Sequence, residues 1–314
     1  MEHSGFDNHA ETGGAFRLLR VLAVSDGGRA GFSPLAPSRR DMRQYLTAVL
    51  ICSIPSLGLA AHYFGGRVWV MLAVAVFASA AVEFLFARIR RKPFSGGTLA
   101  YSALFVLILP PTIPLWMVAL GAASGTLFGK EAFGGVGSYI FNPVLVGKGF
   151  LLFSYPQDAQ GTYFGSMLGY AEVPDAWLLC TGVIVACAAV FAAARPSNLR
   201  ILAGILLGAV GVAMPLAATG YLPYETTVEF LAADGLLFGA VFLAVDPACS
   251  PQVDEGKWLF GLLAGVTVVL MRCFSNYSEA MFSALLFGNL FTPMIDALAL
   301  SRREPAPAPE GRAG

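Results

Sequence analysis

Charge is what this sequence has least of. Only 13% of its 314 residues are Asp, Glu, Lys or Arg, whereas 56% are hydrophobic; soluble domains carry roughly 25% charged residues. With a mean hydropathy of +0.67, the charges are too few to coat a water-facing globule of this size. Neither sign is in excess, since 20 Lys+Arg balance 20 Asp+Glu, so there is no basic field for nucleic acid. The five cysteines, Cys52, Cys180, Cys187, Cys249 and Cys273, are scattered. They form no CxxC pair and no His/Cys cluster at ligand spacing, which argues against a zinc or iron–sulfur site within this chain and reads them as buried small hydrophobes. No GxGxxG stands between a strand and a helix, so no dinucleotide site is expected. Residues 1–16 are polar and mixed in charge, unlike a cleavable signal sequence.

What is present is apolar residues in long blocks, such as 68–87, 176–194 and 201–211, rather than in alternating or 3.6-residue patterns. Blocks of about 20 apolar residues are what a bilayer-spanning helix needs, so the fold class expected is an all-α polytopic membrane protein. Hydropathy places about ten transmembrane helices, near 45–64, 68–87, 98–110, 115–129, 142–155, 176–194, 200–218, 229–245, 257–271 and 280–298. Several are short, interrupted by Pro110–Pro111, Gly134–Gly135, Pro143 and Pro247. Broken helices persist in a membrane only where protein or a cavity satisfies the freed backbone groups. Residues 1–44 read as a polar cytoplasmic arm ending in Arg39, Arg40 and Arg43, 45–300 as the transmembrane domain, and 301–314 as a disordered cytoplasmic tail.

Basic residues gather before the first span, at 88–92, at 195–200 and after the last span, while 155–177 and 219–229 contain no Lys or Arg. Ten spans put every basic cluster on one side and both bare loops on the other, with Arg67 and Arg272 as exceptions. Both termini are therefore expected in the cytoplasm, with the chain in the inner membrane. The halves 45–156 and 176–298 hold five spans each, so they enter the membrane in opposite senses. Each carries an interruption, 133–143 and 246–251, and such inverted repeats place a site at the midplane between the broken helices.

The densest stretch is 127–156, LFGKEAFGGVGSYIFNPVLVGKGFLLFSYP. Gly134, Gly135 and Gly137 permit positive φ and close backbone approach. Asn142–Pro143 favours a turn, and Lys148 lies inside the following apolar segment. Exposed N–H groups here would suit an anionic or carbonyl-bearing ligand; a plain helix-breaking connection with a solvent-facing Lys130–Glu131 pair is the other reading. Lys148 favours function, because intramembrane charges are costly. Among the acids, Glu83 in AVEFLFARIRR either snorkels and pairs with Arg88 or Arg90, or serves a cation. Asp246 precedes Pro247 at a break, as a helix N-cap or as a cation ligand. Asp296 closes the last span in NLFTPMID, as a helix-end carboxylate or a functional acid. Asp234 and Glu279 are boundary-placed candidates.

These residues resemble a known family. GKEAFGG-G--IFNPVLVGKGFLLFSYP is similar to the segment shared by the B subunit of the sodium-translocating NADH:quinone oxidoreductase and the D subunit of the Rnf complex. FSGGTLAYSALFVLILPPTIPLW (94–116) looks like that family's third span and double-proline exit. FLAVDPACSPQVDEGKWLFGLLAGV (242–266) resembles its ATDP-x-S-x-P…GKW stretch, with Val245 in place of the usual Thr. MRCFSNYSEAMFSALLFGNLFTPMID (271–296) looks like its last span.

The resemblance implies a urea-transporter-like fold and a flavin-carrying subunit of a respiratory, ion-translocating complex. It would pass electrons towards quinone or Rnf partner subunits, with any NADH oxidised on another chain. Glu83 and Asp296 match family acids linked to cation handling. Gly134, Gly135, Gly137, Asn142 and Lys148 are the candidate cofactor contacts, and Glu83, Asp246 and Asp296 the candidate ion-coupling acids. Relatives carry FMN bound through phosphate to a Thr in a Ser-Gly-Ala-Thr motif on the loop after SYP. That motif is missing here, so non-covalent flavin, riboflavin or FMN, is expected, with Thr162 the fallback attachment site and quinone a further candidate ligand. Broken helices alone also suit a channel or secondary transporter of a small polar solute, and the family also admits a redox-inactive scaffold. The quinone-reductase and Rnf branches stay open, as do Na+ and H+.

Overall fold

The computed structural model describes residues 37–91, 96–162, 174–220, 235–275 and 279–302, and among these the regular structure is helical throughout. The elements are α1 (Arg39–Phe64), α2 (Arg67–Arg90), α3 (Thr98–Leu107), α4 (Leu115–Ser124), α5 (Pro143–Ser154), α6 (Pro156–Ala159), α7 (Pro174–Ala194), α8 (Asn198–Ala218), α9 (Leu236–Phe238), α10 (Asp254–Phe274) and α11 (Ala280–Ser301). Five of them, α1, α2, α8, α10 and α11, are long and apolar enough to cross a membrane. Residues 1–36 of the expected arm 1–44 and 303–314 of the expected tail 301–314 lie outside the described residues, as does Asp234.

Local chemistry sets the ends. α1 starts at Arg39, ahead of the expected 45, because the Ser38 hydroxyl caps it by accepting from the Asp41 N–H at 3.1 Å. The three arginines therefore sit on its first turns. α5 starts where Asn142 caps Val144 N–H at 2.9 Å, with Pro143 at the first helical position. α3 stops at Leu107, short of the expected 110, since Pro110 and Pro111 supply no N–H to continue it.

α4 does not run straight to 129. It widens into a π-helical stretch, Gly125–Glu131, and α9 continues likewise through Gly239–Leu243. Such i→i+5 turns cluster at functional sites; here the Ala132 N–H reaches Leu127 O at 2.8 Å and the Ala244 N–H reaches Gly239 O at 2.9 Å.

Packing in apolar surroundings relies on close backbone approach at small residues. α8 lies along α10, which packs on α11, while α2 packs on α3 and α4, and α1 bridges α3 and α7. A Cβ on Gly261 of α10 would come 2.5 Å from Ile201 O of α8, and one on Gly147 of α5 would come 2.5 Å from Gly121 O of α4. The segment from α4 to α5 meets the segment after α9 at the centre of the bundle, where Tyr139 and Asn142 touch Asp246.

Candidate functional site

The site is a set of buried ionic and polar groups at the helix breaks. Asn142, Lys148, Asp246 and Asp296 are each 0% exposed and Glu83 and Lys130 each 1%. No solvent-facing reading survives for any of them.

Asp246 sits just past the π-helical turn of α9. Its carboxylate accepts from Asn142 Nδ2 at 2.9 Å, Tyr139 OH at 3.1 Å and the Ala248 N–H at 3.0 Å. Tyr139 is hydrogen-bonded in turn to the Tyr101 hydroxyl, and Tyr45 OH closes the same region by donating to Phe242 O at 2.9 Å. Every donor to Asp246 is neutral, and among the described residues no Lys or Arg makes an ion pair with it. The hydrogen bond to Ala248 N–H is that of an Asx turn rather than of a helix cap. Gly134, Gly135 and Gly137 have φ of 117°, 107° and 84°, values an L-residue rarely adopts, and they turn the chain so that Tyr139 and Asn142 reach Asp246.

Lys148 occupies a second node. Its Nζ donates to Ile108 O at 2.8 Å and Gly161 O at 2.7 Å and lies 3.2 Å from Glu279 Oε1. The same Glu279 oxygen accepts the Gly161 N–H at 2.5 Å. Lys148 thus takes up a carbonyl freed where α3 breaks. Thr162, next in the chain, is buried at 4% exposure, its Oγ1 3.8 Å from where a Cβ on Gly235 would stand. The rest of its loop, 163–173, lies outside the described residues.

Glu83 and Asp296 lie nearer the ends of their helices. Glu83 Oε2 accepts from Lys130 Nζ at 2.9 Å and from the Thr98 hydroxyl. Among the described residues its ion pair is with Lys130, not with Arg88 or Arg90, and the Lys130–Glu131 pair is buried rather than solvent-facing. Arg90 instead pairs with Glu131 at 3.5 Å. Asp296 accepts the backbone N–H of Gln252 at 3.0 Å and of Val253 at 3.4 Å. From across the bundle it holds the two residues that lead into α10, and its negative charge lies near the positive end of that helix dipole. Asp246 and Asn142 come together, with the glycines on the turn that precedes Asn142; Lys148, Glu83 and Asp296 belong to separate nodes. Sequence reasoning passes over Tyr45, Tyr101 and Tyr139; a tyrosine three residues before Asn142, inside a glycine-broken stretch, is the one available signal.

Fold and site together define a helical membrane protein whose broken helices meet at buried, hydrogen-bonded charges. Residues 30–303 match the model of the NQR2, RnfD, RnfE family, and the chain belongs to that family. It is 36% identical over 250 residues to the B subunit of the Na(+)-translocating NADH-quinone reductase of Pseudomonas aeruginosa, covering 68% of this chain and 62% of that one. It is 34% identical over 253 residues to the protein of the same name from Azotobacter vinelandii, covering 68% and 62%. With that of Klebsiella pneumoniae it shares 33% over 261 residues, covering 69% and 63%. The matched stretch thus spans less than two thirds of these relatives.

Proposed function

We propose that the chain is the flavin-carrying membrane subunit of a respiratory, ion-translocating oxidoreductase complex. It passes electrons within that complex while Na+ or H+ crosses the inner membrane, and its partners are the other membrane and peripheral subunits. The observation that carries this reading is Asp246: a fully buried carboxylate held only by neutral donors, between two broken helices. Buried intramembrane charges mark ligand and ion paths. The polar set would suit the pyrimidine edge of a flavin, since the Asp246 carboxylate could accept a ring N–H and the second Asn142 amide hydrogen could donate to a ring carbonyl, with Tyr139 holding the carboxylate in place. Bound there, the flavin supplies one- and two-electron redox chemistry; the chain's part is to bind it, orient it and exclude water. Thr162, packed inside the bundle, is poorly presented to an attaching enzyme, which supports a non-covalent cofactor.

The ten-span, two-repeat arrangement over 45–156 and 176–298 belongs to the same proposal. It is supported by a helix broken at proline in each half, α3 before Pro110 and α9 before Pro247. Glu83, Asp246 and Asp296 are the proposed ion-coupling acids. The bonds Tyr139–Asp246 and Lys148–Glu279, both between buried groups, argue against an open solute channel at these residues.

Flavin content is the test. Protein purified as the intact complex should release flavin from this chain on acid denaturation and leave no fluorescent band on a denaturing gel. Asn142→Leu, which removes a hydrogen bond to a charged group, should lower retention about tenfold. A chain that purifies colourless points to solute transport or scaffolding; a fluorescent band carrying the mass of FMN, lost in Thr162→Ala, overturns the non-covalent assignment.

A further inference from the structure

On the outer wall, the first turns of α1 and the end of α7 enclose a groove of about 380 Å³. Its lining is graded. Arg40 and Arg43 stand at the mouth, Gln44 and Thr47 follow, and Ile51 and Val190 form the lower walls. Arg40 and Arg43 are three apart on one helix, hence neighbours on its surface, and both are exposed. The acid of that turn, Asp41, is engaged elsewhere, 3.7 Å from Arg195. Among the described residues neither Arg40 nor Arg43 makes an ion pair. From Arg43 to Ile51 the helix descends about 12 Å, passing from guanidinium through amide and hydroxyl to hydrocarbon.

We infer that this groove binds an anionic phospholipid. The phosphodiester lies between the two guanidinium groups, which favour phosphate oxygens. The Gln44 amide faces the glycerol ester, and one acyl chain runs over Ile51 and Val190. A soluble anion would use only the mouth and leave the apolar wall bare. A zwitterionic lipid would bring a cation against two arginines. Basic pockets between membrane helices are where such headgroups bind. The site shares no residue with the proposed flavin contacts and stands whether or not flavin is found.

The full chain in detergent, mixed with equal phosphatidylglycerol and phosphatidylcholine, is read by native mass spectrometry. The expected result is retention of phosphatidylglycerol about tenfold or more above phosphatidylcholine. The preference should disappear in Arg40→Gln/Arg43→Gln. Ile51→Trp, at a position 53% exposed and therefore free of core packing, should reduce retention while keeping both charges. Inorganic phosphate should not displace the lipid. A photo-crosslinker at position 51 should yield a phospholipid adduct. Equal retention of both lipids, an unchanged preference in both variants, displacement by phosphate, or a crosslink to a peptide from residues 1–36 would each overturn the assignment.

Discussion

Asp296 holds up a helix end and is also a candidate for ion coupling, and substitution separates the two. Its oxygens accept from the N–H groups of Gln252 and Val253, a job a neutral amide oxygen can also do. Asp296→Ala should therefore lose these hydrogen bonds to a charged acceptor, about 1–3 kcal/mol, and lower the melting temperature. Asp296→Asn should keep the melting temperature within a few degrees yet reduce the sodium or proton dependence of turnover. If the Asn variant pumps with unchanged ion dependence, the residue is only structural. Lys148 makes a starker case: Lys148→Met removes the cation 3.2 Å from the buried Glu279 carboxylate, and breaking a buried pair costs about 3–5 kcal/mol. Lys148→Met/Glu279→Gln should recover much of that in denaturant titrations but not all, since Ile108 O and Gly161 O lose their donor. The candidate residues were legible because a charge in an apolar block stands out. Their partners were not: Glu83 and Lys130 are 47 positions apart, and no spacing rule links an α2 acid to a π-helical turn of α4. Nor does composition tell a tyrosine that packs from Tyr139, which donates to Asp246.

Hydropathy finds apolar segments but is blind to where the backbone changes form. The long helices α1, α2, α8, α10 and α11 were legible as blocks, and the prolines announced that α3 and α9 would stop. The π-helical widening after Ser124 and Phe238 was not legible, because an extra residue per turn leaves the apolar run intact. Glycine roles were equally hidden, since two glycines in similar blocks do opposite things. Gly261 faces α8 with Ile201 O 2.5 Å from its would-be Cβ, whereas Gly211 on α8 has nothing within 4 Å. Gly211→Ala should thus stabilise by about 0.5–1 kcal/mol through helix propensity. Gly261→Ala should destabilise by about 1–3 kcal/mol, as overpacking against backbone does. Thermal unfolding of the two variants in one detergent decides this; equal shifts of the same sign would mean that α8 and α10 are not held at glycine distance.

For the molecule as a whole, long-range bonds bear on orientation. Asp41 meets Arg195 at 3.7 Å, Arg90 meets Glu131 at 3.5 Å and Arg200 meets Asp254 at 2.5 Å. Each tie joins two places that the expected topology puts on the cytoplasmic side. Arg67, an exception to the charge bias, donates to Ile113 O at 2.7 Å; it serves the turn between α3 and α4, which that topology puts outside, and so needs no cytoplasmic location. Gly161 is a poor insertion point, because its N–H and C=O are held by Glu279 and Lys148. Gln157 and Ser301 are both exposed and can carry single cysteines, the native Cys52, Cys180, Cys187 and Cys249 being buried and Cys273 partly so. Five segments, α7 to α11 with α9 broken, separate the two positions, and an odd number of crossings puts them on opposite faces. Gln157→Cys should react with a membrane-impermeant maleimide on intact cells, Ser301→Cys only after permeabilisation, with the Cys273→Ser background correcting for native thiols. Labelling of both from one side would remove a crossing and the inverted repeat with it. Labelling of Ser301→Cys alone from outside would keep the repeat, reverse the orientation, and place the arginines of α1 outside the cell.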